Sequence, residues 1–386
     1  MRLVLLAAAM SAPAAAQSVQ FSAVAGTEVG YATNPFLASG VDKGGLTASA
    51  SIAPRLQYQT ARSNTILLGR YERQIYSNGF GYSDDGSVGV TRTDQLSQFL
   101  SSTLTGSYLT SNRDTINDPD AAISNPFDVG RRTKTLAGSD QLQWQASARD
   151  QISFGSQISH QSYGKSETAG LDAVASEYTQ YGTNASYNHN LDARTSIGAQ
   201  VNVSAVRSAL YPDSRTIQPA LTARRQINAI WVVDGHIGVV FSRVEGPLPK
   251  STRSLGLGLN LCGTYPRTNI CVKLSRDTAP SGFGPLRTTS SIAVNVRQDL
   301  TERSHLGFTA TFVRDSSGAF ETAPAIPVQT VRNGKLLTET VSYDRDITQR
   351  ISAGFGGQLK WRELSGYQQS RSYQGTIHVT AKLGRM

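Results

Sequence analysis

Apolar and polar residues alternate along several segments of this chain with the two-residue period of a half-buried β-strand. From Val19 to Tyr31 the odd positions are Val, Phe, Ala, Ala, Thr, Val and Tyr, whereas the even positions are mostly polar or Gly. The same alternation recurs in 46–58, 197–205, 255–262, 306–312 and 373–383. Because successive side chains of a strand point to opposite faces, each segment has one apolar and one polar face. No stretch of comparable length has its apolar residues at helical spacing.

The connections between these segments alternate between short polar turns and longer loops. The short turns lie at 60–64, 148–151, 191–195, 300–304 and 348–350. The longer loops, rich in Gly, Pro, Asn and Asp, lie at 34–45, 112–133, 164–176 and 316–335. In outer-membrane barrels the short turns face the periplasm and the long loops face outside. The alternation therefore predicts an all-β fold, a transmembrane antiparallel up-and-down β-barrel.

The predicted strand count is about 18, with 16 as the alternative. The count depends on residues 87–109, which we interpret as two strands that meet near Gln98. If both ends of the chain are periplasmic, the number of strands must be even, and two strands in this segment satisfy that condition. A barrel of this size encloses an aqueous lumen rather than a packed core.

The first 16 residues have the organisation of a secretory signal peptide. Arg2 supplies a positive charge, residues 3–10 form a short apolar core, and residues 14–16 are three alanines before a predicted cleavage site. The apolar core is too short to span a bilayer as a helix, and no run of 18 apolar residues follows it. We therefore predict that residues 17–386 form a barrel in the outer membrane of a Gram-negative bacterium.

The charge of the chain indicates the chemistry of its partners. The sequence contains 37 Lys and Arg against 28 Asp and Glu. In an exported chain this excess favours outer-membrane lipopolysaccharide, a polysaccharide or small anionic solutes as partners, and it does not indicate nucleic acid.

Assigning the apolar face of each strand to lipid places a set of cations in the lumen. A charge that faces lipid at mid-membrane costs about 2–4 kcal/mol, which enforces this assignment. The clearest lumenal acids are Glu28, Glu72 and Asp234. The pattern predicts a basic pore for anionic or polyhydroxylated solutes; the alternative is a polar lumen whose cations pair with nearby carboxylates. The predicted pore-lining or substrate-binding cations are Arg55, Arg70, Arg224, Lys273, Arg297, Lys360, Arg362 and Lys382.

Two cysteines occur, Cys262 and Cys271, and they flank a turn with lumenal parity. In an oxidising compartment this spacing predicts a local disulfide rather than a reactive or metal-binding pair.

No metal-ligand spacing and no catalytic constellation is evident among the histidines, which are His160, His189, His236, His305 and His378. The sequence therefore predicts a channel that is not an enzyme and needs no cofactor or metal. The alternative is a structural or surface-interaction barrel that acts through its long extracellular loops.

Two short motifs resemble the β-barrel porin-2 family. Residues 30–35, Gly-Tyr-Ala-Thr-Asn-Pro, resemble the Y-x-x-N segment of that family's first hairpin, and residues 280–284, Pro-Ser-Gly-Phe-Gly, resemble its P-S-G-x-G loop. The resemblance implies an outer-membrane barrel that moves or secretes an exopolysaccharide. It also implies a polysaccharide export lipoprotein and periplasmic synthesis machinery as partners. One departure from many outer-membrane barrels is the non-aromatic C-terminus at residues 383–386.

Overall fold

The computed structural model describes most of the chain after the predicted signal peptide. The described residues are 18–35, 37, 44–77, 81–111, 132–164, 177–209, 212–246, 249–281, 284–317, 333–364 and 369–384. The predicted signal peptide, residues 1–16, and most residues of the predicted long loops lie outside these ranges. Within them, no helix is long and apolar enough to cross a bilayer.

The described residues form 18 β-strands of 12 to 18 residues. In chain order they are β1 Ser18–Ala32, β2 Gly45–Gln59, β3 Ser63–Tyr76, β4 Gly81–Gln95, β5 Leu100–Ser111, β6 Thr133–Gln145, β7 Asp150–Tyr163, β8 Tyr178–Asn190, β9 Thr195–Ser208, β10 Ser214–Gln226, β11 Trp231–Val244, β12 Lys250–Thr264, β13 Thr268–Ser281, β14 Gly284–Thr301, β15 Ser304–Ser317, β16 Asn333–Asp346, β17 Ile351–Leu364 and β18 Ser370–Gly384.

The strands form one closed antiparallel sheet. Each strand pairs with its neighbours in the sequence, and β1 pairs with β18 from Ser22 opposite Gly384 to Ala32 opposite Gln374. This closure confirms the predicted 18-stranded barrel, and the segment 87–109 is indeed divided between β4 and β5. Because the ring is closed, every described strand is hydrogen-bonded to a neighbour on both sides, as a membrane barrel requires, although the β12–β13 pairing does not extend over the full length of the two strands.

The outer face of the barrel is mainly apolar, as the alternation predicts. Residues that lie directly opposite each other in paired strands share a face. Val29 of β1 is opposite Ile377 of β18, and both side chains are exposed on the outside. Trp144 and Trp231 lie on this face near the short-turn end, where aromatic residues of membrane barrels meet the bilayer interface.

Short turns lie at one end of the barrel and the long connections lie at the other. We refer to them as the periplasmic and extracellular ends, following the usual orientation of such barrels. Side-chain oxygens stabilise the short turns: Asn228 Oδ1 accepts hydrogen bonds from the N–H groups of Ile230 and Trp231 at 2.9 and 2.8 Å. Thr348 Oγ1 accepts in the same way from Ile351 at 3.0 Å. These bonds explain why Asn, Asp, Ser and Thr mark the turns in the sequence.

The seam between β12 and β13 has the shortest hydrogen-bonded register in the barrel. Its pairing runs from Thr264 opposite Asn269 only to Leu257 opposite Arg276. Beyond that point β13 contains Pro280, which has no N–H to donate to a neighbouring strand. Although β13 is not their neighbour in the wall, its Cα atoms come within 8 Å of β9, β10 and β11. We conclude that the extracellular end of β13 leans into the lumen.

The disulfide lies in this seam. Cys262 and Cys271 are directly opposite each other with Cα atoms 4.2 Å apart, and their Sγ atoms are bonded.

Loss of this disulfide should destabilise the barrel. We expect the free energy of unfolding of the double variant Cys262→Ala/Cys271→Ala to be lower by about 2–3 kcal/mol, because the cross-link restricts the unfolded chain. Urea unfolding of the oxidised protein and of the variant measures this difference. Free thiols in the purified native protein, detected by mass spectrometry, would contradict the bond.

Candidate functional site: the barrel lumen

The closed register assigns each predicted cation to a face. Arg224 is opposite Asp234, Asp234 is opposite Asn260, and Asn260 is opposite Lys273, so these four side chains form one row across β10–β13. In the same way, the register of each strand pair shows which residues share the inner face around the whole barrel. All eight predicted cations lie on the inner face: Arg55, Arg70, Arg224, Lys273, Arg297, Lys360, Arg362 and Lys382.

The eight predicted cations differ in accessibility, and the exposed ones lie at mid-height or in the periplasmic half of the barrel. Arg70 at mid-height and Arg297 near the periplasmic end have side chains 64% and 65% exposed. Arg55, Arg224 and Lys273 are likewise exposed. Lys360 and Lys382 are half-buried.

Arg362 differs from the other inner-face cations. It is only 3% exposed, and its Nη2 donates a hydrogen bond to the backbone carbonyl of Leu37, which is itself buried. Arg362 therefore holds Leu37 against the inner wall. Its guanidinium faces protein at the extracellular end of the lumen, and little of it is accessible to a solute.

The inner face also carries more carboxylates than the sequence indicated. Besides Glu28, Glu72 and Asp234, the register adds Asp85, Asp277, Asp299, Asp315, Asp344 and Asp346. Lys250 and Arg287 also lie on this face, so the described strands place nine acidic and ten basic side chains there, which corrects the expectation of a clear basic excess. Most of these acids lie within a few residues of a strand end, where alternation is hard to read from sequence.

The inner-face cations are nevertheless more exposed to the lumen than the inner-face carboxylates are. The acids are half-buried or buried, apart from Asp277. Several are hydrogen-bonded: Asp299 to His305 at 2.6 Å, and Asp344 to His378 at 2.7 Å. Where a cation and a carboxylate are paired, the cation is the more exposed partner: Arg70 is 64% exposed against 14% for Glu72, and Arg297 is 65% exposed against 43% for Asp299. The accessible charge of the periplasmic half of the lumen is therefore mainly positive.

A large cavity opens at the periplasmic end beside β7–β13. Its volume is about 1240 Å³. The cavity contains the row described above, in which Asn260 Nδ2 donates to Asp234 Oδ1 at 3.2 Å. Its lining combines guanidinium, ammonium and amide groups: Arg149, Asn188, Asn190, Arg194, Gln200, Arg224, Gln226, Asn260 and Lys273. Such groups can bind carboxylates and hydroxyls by hydrogen bonds.

Asp192 lies in a periplasmic turn at the mouth of this cavity. The backbone N–H of Arg194 donates to Asp192 Oδ1 at 2.6 Å, and this bond is the main cause that holds the pKa of Asp192 below its usual value. The ionised form of Asp192 is therefore favoured, and one of its carboxylate oxygens faces the backbone of the turn.

Several charged side chains toward the extracellular end of the lumen are buried or lie in a small cavity. Arg287 and Asp315 form an ion pair at 3.2 Å, with side chains 7% and 1% exposed. Nearby, Lys360 shares a small cavity of about 180 Å³ with Glu28 and Glu72. Arg287 and Asp315 are thus enclosed by protein, in contrast to the exposed cations of the periplasmic half.

These features define the class of the fold: a closed membrane barrel with an apolar exterior and a hydrated, polar lumen, as in outer-membrane porins. Among the described residues, no group of three or more His, Cys, Asp or Glu side chains could hold a metal ion.

Comparison with solved structures supports this fold. A BenF-like porin from Pseudomonas fluorescens is 10% identical, with 95% of this chain and 99% of that chain covered and a TM-score of 0.50. The FrpB iron transporter from Neisseria meningitidis is 8% identical, with 89% of this chain covered and a TM-score of 0.51. The match covers only 62% of that FrpB chain. At these identities the similarity shows the fold alone.

No family model matches this chain, and no curated protein matches it in sequence. Membership of the β-barrel porin-2 family therefore stays a prediction that rests on the two short motifs.

Proposed function

We propose that this chain is a channel of the outer membrane that passes small anionic or polyhydroxylated solutes. The proposal rests on one observation: at mid-height and in the periplasmic half of the lumen, five inner-face cations are exposed, whereas most inner-face carboxylates are half-buried. Long-range attraction by such charges raises the local concentration of anions in a pore. The chain would reach the outer membrane through cleavage after Ala16, and it would act without a catalytic step.

The finer form of the proposal is secretion of an exopolysaccharide. The resemblance of residues 30–35 and 280–284 to β-barrel porin-2 proteins supports it, as do the amide groups of the periplasmic cavity. A polysaccharide export lipoprotein and the periplasmic synthesis machinery would then deliver the polymer to that end of the barrel.

Liposome swelling tests the channel and its preference together. Proteoliposomes are placed in iso-osmotic glucuronate, glucose or glucosamine, three sugars of similar size and different charge. We expect all three to enter, glucuronate several-fold faster than glucosamine, because the exposed lumenal charge is positive. Protein-free liposomes are the control. Swelling no faster than in that control would contradict a channel, and faster entry of glucosamine would contradict the anion preference.

A second candidate is a surface-interaction barrel that works through its extracellular loops. Burial of Arg362, Asp315 and Leu37 at the extracellular end favours it, because an enclosed mouth restricts flow. Absence of conductance in planar bilayers, for protein shown to be folded, would favour this candidate over the channel.

A further inference from the structure

Four arginines lie together on the outer face near the extracellular end of four consecutive strands. Arg207 is one residue from the end of β9, and Arg215 and Arg243 are one residue from the ends of β10 and β11. Arg253 lies three residues into β12. We call these four residues the outer arginine patch.

The register shows that the patch faces outward. Arg215 is directly opposite Ala205 and Arg243, and Arg253 is directly opposite Phe241. Phe241 is one of the exposed apolar side chains of the outer face. The guanidinium of Arg253 lies over its ring, 5.6 Å from the ring centre. The cations therefore extend over the apolar wall and do not enter the lumen.

The patch has an excess of positive charge, because only two of its four arginines lie near a carboxylate. Arg207 is 3.8 Å from Asp213 and Arg215 is 3.9 Å from Glu245, both long contacts, with the arginine side chains 74% and 52% exposed. Within the described residues, Arg243 and Arg253 have no ion pair. Arg215 and Arg243 are a directly opposed pair of like charges, an arrangement that destabilises a sheet unless an anion lies between them.

The wall below the patch is apolar. Going toward mid-membrane, the outward side chains on the same strands are Val203, Ile217, Val239 and Leu255, and all four are exposed. Phosphate groups above acyl chains match this arrangement of cations above apolar side chains. The lipid with that chemistry at this level of an outer membrane is lipopolysaccharide, whose lipid A carries phosphates.

We propose that the outer arginine patch binds the lipid A phosphates of lipopolysaccharide, with the acyl chains against the apolar residues below. The arginines would donate charge-assisted hydrogen bonds to phosphate oxygens, the geometry that guanidinium groups favour. The proposal rests on the proposed function only for the membrane and the orientation of the barrel, since the patch does not contribute to the lumen.

Lipid binding by purified, delipidated protein tests the proposal. The variant Arg207→Gln/Arg215→Gln/Arg243→Gln/Arg253→Gln is compared with native protein by thermophoresis, using diphosphoryl lipid A and dephosphorylated lipid A as probes. We expect the variant to bind diphosphoryl lipid A about tenfold more weakly. Dephosphorylated lipid A should bind both proteins equally and weakly, because only the phosphates meet the arginines.

The matched control is Arg225→Gln, an outward arginine at the periplasmic end of β10, which should leave lipid A binding unchanged. The double variant Arg243→Gln/Arg253→Gln gives a second test if the quadruple variant folds poorly. Replacing Arg243 and Arg253 leaves no acid without its ion-pair partner, so this variant should fold well. It should show an intermediate loss of affinity, because two of the four arginines remain. Equal affinity of native and quadruple-variant proteins for diphosphoryl lipid A would overturn the proposal. Unchanged conductance of the variant would keep this outcome separate from the proposed channel function.

Discussion

A variant with glutamate in place of Arg55, Arg224, Lys273 and Arg297 is expected to prefer cations, whereas the native pore is expected to prefer anions. These four side chains are exposed in the periplasmic half of the lumen, and the carboxylates around them are mostly half-buried. Reversing their charge therefore reverses the sign of the accessible field. The reversal potential in a KCl gradient across a planar bilayer measures the permeability ratio, which should change by roughly tenfold or more.

Salt dependence distinguishes this effect from a change in pore width. The Debye length falls from about 10 Å at 0.1 M salt to about 3 Å at 1 M salt. The difference in selectivity between the two proteins should therefore shrink at high salt, while a steric change would persist. Arg345→Glu is the matched control, because Arg345 is exposed on the outer face near the periplasmic end. A reversal potential that is the same in native and quadruple-variant pores would contradict a role for these cations.

The sequence predicts which face each strand residue occupies because that property is local. Alternation with a period of two is set by backbone geometry, so the inner-face position of Lys273 or Arg297 follows from the apolar residues beside it. The even strand number follows if both ends of the barrel are periplasmic, and the division of 87–109 follows from that even number, since no clear turn signal marks it. These predictions needed no knowledge of which residues lie opposite each other.

Contacts between strands could not be predicted in this way. The row from Arg224 to Lys273 depends on the register of four strands, and register is not encoded in any single strand. The same limitation hid the buried contact of Arg362 with Leu37, which are separated by 325 residues. Pro280 was a visible signal for the weak seam at β13, because a proline cannot donate to a sheet. The sequence did not reveal the outer arginine patch, because each of its arginines is a single charge near the end of a different strand and only the register brings the four together.

The largest effect on stability is expected from Asp315. With Arg287 it forms an ion pair that is almost completely buried at the extracellular end of the lumen. Removal of one partner leaves an uncompensated buried charge, so Asp315→Asn should lower the free energy of unfolding by about 3–5 kcal/mol. Urea unfolding in detergent micelles, followed by tryptophan fluorescence, measures the change. Arg297→Gln is the exposed control, because its pair with Asp299 is 3.6 Å apart and accessible to water, and little change is expected.

A double variant separates the cost of an unpaired charge from the value of the pair itself. Arg287→Met/Asp315→Leu replaces both charges with apolar side chains, so neither is left without its partner. Such replacements are often neutral or stabilising in protein interiors, and we expect the double variant to regain most of the stability that Asp315→Asn loses. If the double variant is as unstable as the single one, packing around Asp315 rather than charge determines the stability of the mouth. In that case the ion pair itself would contribute little to the stability of this end of the barrel.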